Sequence, residues 1–199
     1  MSKENTLRVM DNFANQCREA CKLGLDLKID QNTSCLAVLG MGGSSLPGEI
    51  IKNCVDLPFP LTIVRDYELP NYINNSSQVF VISYSGNTEE TLSAYKEALR
   101  RGAKIIGISS GGKLEEFCKN DNVPHIKVPS GIQPRDAVGY QTIPILSVFH
   151  NSGLFSNFNK EMEEVFSVLE KDYKSQAKDI AKNLVGKIPI IYSSTKLSA

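Results

Sequence analysis

Short apolar runs, each bounded by polar residues or glycines, constrain the fold of this chain more than any other feature. They lie at Cys35–Leu39, Leu61–Val64, Val79–Ile82 and Lys104–Ile108, and a weaker one lies at His125–Val128. The continuous apolar character, without alternation of polar and apolar residues, is typical of strands buried on both faces. The sequence therefore predicts five buried strands.

Segments with helical spacing separate these runs. The clearest covers residues 89–101, with Thr88 at the N-cap position and Gly102 as the stop signal. Further helices are predicted over residues 3–24, 46–54, 113–119, 138–150 and 159–184. Strands that alternate with helices predict an α/β fold with a parallel sheet covered on both faces, because parallel strands need long crossover connections.

Composition excludes several functional classes. The basic and acidic residues both number 22, so the net charge is close to zero and gives no electrostatic reason to expect nucleic acid as a partner. No apolar run approaches the ~18 residues that a membrane span needs. The first residues lack the basic-then-apolar order of a signal peptide, which predicts a cytoplasmic protein without membrane association.

The cysteines give no sign of a metal site or a disulfide framework. Their number is five, they are scattered, and none forms a CxxC pair. Cys17 and Cys21 are four residues apart on a predicted helix, a spacing that two metal ligands could share. Both lie on the apolar stripe of that helix, so reduced thiols in the core are expected for all five, and no metal.

The first loop with chemical content follows the first strand. Gly40-Met41-Gly42-Gly43-Ser44-Ser45 runs into a predicted helix, and glycines there let a backbone rich in free N–H groups approach an anion. A plain tight turn is one alternative. Another is a dinucleotide-binding loop, for which Asp66 would supply the acidic residue at the end of the next strand.

The second loop follows the third strand and is more specific. In Ser83-Tyr84-Ser85-Gly86-Asn87-Thr88, three hydroxyl groups precede the positive end of the 89–101 helix. Capping would explain Thr88 alone. Several hydroxyls together with helix N–H groups suit a phosphate monoester, which has several acceptor oxygens.

These two loops resemble the sugar isomerase (SIS) domain, whose most diagnostic motif is S-x-S-G-x-T. Pro134-Arg135-Asp136-Ala137-Val138-Gly139-Tyr140 is in turn similar to the P-R-x-A-x-G-Y stretch of the bifunctional phosphoglucose/phosphomannose isomerases. The resemblance covers essentially the whole chain. It implies a flavodoxin-like, three-layer α-β-α domain in which a five-stranded parallel sheet binds phosphorylated sugars at the carboxyl ends of its strands.

The resemblance also implies a substrate site, an activity and an assembly. Glucose 6-phosphate and mannose 6-phosphate would be interconverted with fructose 6-phosphate through an enediolate, without a cofactor, in a homodimer. Arg135 would act catalytically, because its fixed charge can stabilise the enediolate. The residues that correspond to the family's substrate-binding positions are Gly43, Ser44, Ser83, Ser85, Thr88 and Arg135.

The resemblance divides the chain into an N-terminal helix at residues 1–30, the SIS domain at 31–155, a connecting helix at 156–185 and the first strand of a second SIS domain at 186–199. The family's catalytic glutamate, ring-opening histidine and late lysine lie in or beyond that second domain. We therefore expect this chain to be a fragment that binds phosphate with little or no turnover.

Three other acidic or imidazole side chains are expected to have structural roles. His125 lies on a strand, His150 lies at an apolar helix end, and Glu49 lies at a helix start, where a negative charge is favourable. None of them matches a catalytic position of the family.

Two other functions stay open at this stage. A non-catalytic SIS sensor of sugar phosphates would need a DNA-binding or partner-binding element, and the sequence before Cys35 has room for one predicted helix only. A nucleotide-dependent oxidoreductase rests on the Gly40 loop and Asp66, and NAD binding by the purified chain would favour it.

Overall fold

The computed structural model describes residues 3–194 and contains one five-stranded sheet. All strand pairs are parallel, and the strand order is β2-β1-β3-β4-β5. The strands are β1 Cys35–Leu39, β2 Leu61–Val64, β3 Ser77–Ile82, β4 Lys104–Ser109 and β5 His125–Lys127. This is the flavodoxin-like order, so the α/β fold predicted from the sequence is confirmed.

Each central strand supplies side chains to both faces of the sheet, because successive residues point to opposite sides. Every residue of β1 and β3 is buried. Leu36 and Phe80 belong to the apolar cluster on one face, whereas Ala37 and Val79 belong to the cluster on the other. The absence of alternation in the sequence is thus explained by helices on both sides.

Most helices lie where they are predicted, with ends that differ by a residue or two, as expected for frayed termini. The helices near the amino terminus and after β5 pack on the first face of the sheet. The helices between β3 and β5 pack on the second face. The helices with matching positions are α3 Leu46–Cys54, α4 Glu89–Arg100, α5 Gly112–Asn120 and α6 Val138–Asn151.

The predicted N-terminal helix over residues 3–24 is wrong in its continuity. It consists of α1 Lys3–Asp11 and α2 Phe13–Ala20, with a break at Asn12. Asn12 has φ −96° and ψ 8°, outside the helical range, although its N–H still donates to Arg8 O at 3.1 Å and its carbonyl accepts from Gln16 N at 3.0 Å. Two helices, not one, therefore precede β1.

The predicted helix over residues 159–184 is also two helices, α7 Phe158–Leu169 and α8 Lys174–Leu184. Asp172 Oδ1 accepts a hydrogen bond from Lys174 N at 2.9 Å, which makes an Asx turn at the start of α8. This local turn separates two segments whose amphipathic patterns run together in the sequence.

The strand predicted at residues 187–194 is not formed within the described chain. Residues 188–194 have no regular secondary structure, and Ile188, Ile191 and Tyr192 are 92, 89 and 90 % exposed. A strand requires a neighbour for its backbone hydrogen bonds, and no described residue supplies one. Residues 195–199 lie outside the described residues, and a second domain beginning here stays a prediction.

All five cysteines are free thiols, but they are not all in the core as predicted. Cys54, at the end of α3, is exposed, and Cys21 is half-buried. Burial raises the pKa of Cys17 to about 12 and that of Cys118 to about 11, which keeps both protonated at neutral pH. None of the helices that the structure describes combines the length and apolar character needed to cross a membrane.

Replacement of Phe80 by alanine tests the inner packing of the first face. The ring is fully buried and contacts Phe149 edge to face, with 5.9 Å between ring centroids. We expect Phe80→Ala to lower the free energy of unfolding by about 3–5 kcal/mol, measured by urea titration. Leu7→Ala, at a side chain that is 62 % exposed, should change it by about 0.5 kcal/mol or less. Similar losses in both variants would contradict this packing.

Candidate functional site

The two serine loops follow β1 and β3, at the point where the order of the strands in the sheet reverses. β1 pairs with β2 on one side and with β3 on the other, and the carboxyl ends of β1 and β3 are aligned, with Leu39 opposite Val81. A crevice at such a switch point is where open parallel sheets bind ligands. The first loop leaves β1 and the second leaves β3 at this edge.

The first loop forms a 3-10 turn, Gly42–Ser45, that leads directly into α3. Gly42 has a φ of +52°, which favours glycine at this point. Ser44 is buried, and its Oγ accepts a hydrogen bond from Tyr84 N at 3.2 Å. Since no described residue accepts the Ser44 hydroxyl proton, the group joins the two loops and keeps a donor available.

Arg65, directly after β2, stabilises the first loop from outside. Its Nε donates to Ser45 Oγ at 2.9 Å, and its guanidinium forms an ion pair with Glu49 at 2.6 Å. Ser45 Oγ in turn donates to Gly42 O at 2.8 Å. Glu49 is thus engaged in a structural ion pair, as expected. Arg65 was not predicted as a residue of the site, although its position at the carboxyl end of a strand was a signal.

Ser83 stabilises the second loop through hydrogen bonds within the loop. It is fully buried, and its Oγ accepts from Thr88 N at 3.3 Å and donates to Thr88 Oγ1 at 2.9 Å. A hydroxyl group has one proton, so this bond leaves Ser83 without a donor for a ligand. Its observed contacts are those of a residue that shapes the loop.

Ser85 and Thr88 have hydroxyl protons that no described residue accepts. Ser85 is exposed, and its Oγ accepts from Asn87 N at 3.3 Å. Thr88 occupies the N-cap position of α4 as predicted, but its side chain does not cap the helix. The first turn of α4 therefore presents N–H groups without a side-chain cap beside two hydroxyl donors.

Gly86 explains the glycine of the S-x-S-G-x-T motif. Its φ is +71°, and a Cβ added there would lie 1.7 Å from Gly111 O. Gly86 N donates to Ser83 O at 2.8 Å, and Gly86 O accepts from Leu114 N at 2.9 Å. Only glycine allows this contact between the loop after β3 and the loop after β4.

Tyr84 connects the second loop to its neighbours. Its carbonyl accepts from Ser110 N at 2.9 Å, and its hydroxyl donates to Pro129 O at 2.9 Å and accepts from Ile132 N at 3.2 Å. Burial raises the pKa of Tyr84, so the hydroxyl stays protonated and able to donate. No role was predicted for Tyr84, although an aromatic residue between two loop serines was a signal.

Arg135 lies beside the first loop on an exposed 3-10 turn, Pro134–Asp136. A Cβ added to Gly43 would lie 2.7 Å from Arg135 N, so the turn packs against the backbone of Gly43. No described residue forms a hydrogen bond or ion pair with the Arg135 guanidinium. The fold therefore brings the turn that carries Arg135 against the glycine loop, although 92 positions separate Gly43 and Arg135 in the sequence.

Both histidines have structural contacts, as expected. His125 Nε2 lies 2.8 Å from Ser109 Oγ, and burial lowers the pKa of its ring. His150 Nδ1 lies 2.9 Å from Phe155 O, and its ring stacks on Phe158. Among the described residues, no three histidine, cysteine or acidic side chains are grouped closely enough to hold a metal ion.

Comparisons with known proteins find curated relatives that match most of this chain. No family model matches it. It is 39 % identical over 196 residues to a bifunctional phosphoglucose/phosphomannose isomerase from Caldicellulosiruptor bescii, a match that covers 91 % of this chain and 58 % of that protein. A protein of the same name from Thermoplasma acidophilum is 39 % identical over 166 residues, or 81 % of this chain and 50 % of its own length.

Another relative has a different name. It is a D-glucosamine-6-phosphate 4-epimerase from Sulfolobus acidocaldarius, 32 % identical over 81 % of this chain and 52 % of its own length. Among solved structures, the C-terminal domain of a glucosamine-fructose-6-phosphate aminotransferase from Francisella tularensis has a TM-score of 0.70 at 13 % identity. This match covers 94 % of this chain and 62 % of that one, and shows the fold alone.

The chain thus spans between half and three-fifths of the length of these curated relatives. Over that span it has the SIS fold. By sequence and by fold, this chain belongs to the family of the bifunctional phosphoglucose/phosphomannose isomerases.

Proposed function

We propose that the whole protein interconverts glucose 6-phosphate, and also mannose 6-phosphate, with fructose 6-phosphate, and that the crevice between β1 and β3 holds the phosphate group. One observation carries the proposal. Ser44, Ser85 and Thr88 each have a hydroxyl proton without a described acceptor at the same edge of the sheet, beside the first turn of α4, which has no side-chain cap.

A phosphate group is the ligand that this donor set suits best. A phosphate monoester is mostly a dianion at neutral pH and has three strong acceptor oxygens, and hydrogen bonds to a charged acceptor are roughly twice as strong as those between neutral groups. The partial positive charge at the N-terminus of α4 adds to the attraction. Ser83 contributes indirectly, because its bonds to Thr88 fix the loop that carries the other hydroxyls.

Arg135 has the chemistry required next to the sugar. Aldose–ketose interconversion removes a proton from a carbon beside a carbonyl group, which leaves negative charge on oxygen. A guanidinium is always protonated and can stabilise that charge without a change of protonation state. The base and the ring-opening group are proposed to lie in the part of the protein beyond the phosphate site, and a homodimer stays a prediction from the resemblance.

Ser85→Ala tests the phosphate site. The variant loses one charge-assisted hydrogen bond, worth about 1.5–3 kcal/mol, which corresponds to about 10- to 150-fold in affinity for inorganic phosphate and fructose 6-phosphate. Titration calorimetry measures both ligands. Ser76→Ala is the matched control, because Ser76 is exposed just before β3, at the opposite edge of the sheet. If the unaltered protein binds neither ligand, the phosphate site is refuted.

Arg135→Ala tests the sugar side of the site. The variant should bind fructose 6-phosphate about 10- to 100-fold more weakly, because a charged hydrogen bond to the sugar is lost, while its affinity for inorganic phosphate changes little. Arg100→Ala, at an exposed arginine of α4 that pairs with Glu97, should affect neither ligand. Equal weakening for both ligands would show that Arg135 binds the phosphate group instead.

The activity itself is tested on the whole protein with glucose 6-phosphate, mannose 6-phosphate and glucosamine 6-phosphate, with products followed by NMR. We expect fructose 6-phosphate from the first two substrates. Conversion of glucosamine 6-phosphate to its 4-epimer, with no reaction of the others, would favour the activity named for the Sulfolobus relative. Turnover by the 199-residue chain alone would contradict the placement of the base outside it.

A further inference from the structure

We propose that Gln16, on α2, is a positioning residue that holds the turn of Arg135 at the substrate site. The proposal rests on the function proposed above. It assigns to a helix outside the sheet a direct part in shaping the site, although Gln16 is separated from Arg135 by more than a hundred residues of sequence.

The side-chain amide of Gln16 bridges the two ends of the segment that follows Arg135. Its Nε2 donates to Asp136 O at 3.0 Å, and its Oε1 accepts from Tyr140 N at 3.3 Å. Gln16 is 3 % exposed, so these bonds are shielded from water. A buried amide with both ends paired fixes its partners, because breaking either bond leaves a polar group unsatisfied.

Contacts with α2 also explain the glycine and the tyrosine of the P-R-x-A-x-G-Y stretch. A Cβ added to Gly139 would lie 2.8 Å from Gln16 Oε1 and 3.1 Å from Cys17 Sγ, so glycine permits the close approach of α2. The Tyr140 hydroxyl donates to the Glu19 carboxylate, one turn further along α2. The segment from Arg135 to Tyr140 therefore packs on α2.

Apart from its packing against the backbone of Gly43, the turn is held by few contacts. Residues Pro134 and Arg135 are exposed, and the bonds within the turn are the local ones Asp136 N to Gln133 O and Ala137 N to Pro134 O. Gln141 Nε2 adds one bond, to Pro134 O at 2.8 Å. Because the Arg135 guanidinium has no described partner, its location depends on the location of its backbone.

Small displacements of such a group have large effects on ligand contacts. A misplacement of about 1 Å can cost a factor of about a hundred where a reacting or binding group must be aligned. Gln16 is buried, and the hydrogen bonds of its side chain among the described residues go to Asp136 O and Tyr140 N, not to either serine loop. Its expected effect is thus confined to contacts that Arg135 makes, and the serine loops should be unaffected.

A double-mutant cycle on the full chain tests the proposal, with fructose 6-phosphate and inorganic phosphate as the two probes. Gln16→Met keeps a similar volume and removes both hydrogen bonds. We expect it to weaken fructose 6-phosphate binding by about tenfold or more and to change phosphate binding by less than about twofold. Added to Arg135→Ala, it should cause no further loss. Asn15→Ala, at an exposed neighbour on α2, is the matched control.

The outcomes separate this proposal from the function on which it rests. If Arg135→Ala weakens fructose 6-phosphate binding and Gln16→Met does not, or if the two losses add, the positioning role is refuted while the site stands. If Gln16→Met weakens both probes equally, its role is general stability and the proposal also fails. If Arg135→Ala has no effect on either probe, the sugar contact is wrong and the role of Gln16 with it.

Gln16→Glu is the second variant, in case Gln16→Met does not fold. When its carboxyl group is ionised, the variant keeps the acceptor for Tyr140 N and lacks the donor to Asp136 O, so it breaks only the bond to the turn. A protonated carboxyl could still donate to Asp136 O, so affinity and exchange are compared at a pH high enough to ionise the group, which burial shifts upward. We expect the same selective loss for fructose 6-phosphate, together with faster hydrogen exchange at the amides of Asp136 and Ala137. Unchanged exchange and unchanged affinity would overturn the proposal.

Discussion

Tyr84, between Ser83 and Ser85 of the second loop, connects the loops at the carboxyl edge of the sheet. Tyr84 contacts the first loop through its N–H, the loop after β4 through its carbonyl, and the segment before Arg135 through its hydroxyl. Parallel strands deliver their loops to one edge but do not fix the loops relative to one another. The hydrogen bonds of this single buried residue join three of these segments, and the contact of Gly86 with the loop after β4 and the packing of Gly43 against the Arg135 turn add to the constraint.

The sequence was sufficient for the features that depend on local pattern. Buried strands, the main helices and the edge where the serine loops meet all follow from apolar runs and from the rule that parallel strands end together. The different roles of the loop hydroxyl groups could not be predicted from these patterns. Ser83 and Ser85 look alike in the motif, and only the burial of Ser83 against Thr88 shows that one shapes the loop while the other faces solvent.

Contacts between distant segments account for the rest of what was missed. Arg65 reaches the glycine loop from the neighbouring strand, and Gln16 reaches the arginine turn from a helix at the start of the chain. The position of Arg65 at a strand end was a signal that it lies near the site, but neither pairing can be read from the local sequence, because each joins segments that only the folded chain brings together. The helix breaks at Asn12 and near Asp172 had local signals, since short polar side chains favour turns, but the continuous amphipathic patterns outweighed them.

If Arg135 binds the sugar as proposed, the packing of its turn on α2 couples this helix to ligand binding thermodynamically. Any ligand that is held by Arg135 in this location must, by linkage, favour the state in which α2 is docked, and to the same extent as docking favours the ligand. The amino-terminal part of the chain then affects the ligand affinity of the site. Shortening it, or fusing another protein to it, would alter sugar affinity at a distance while leaving the phosphate loops intact.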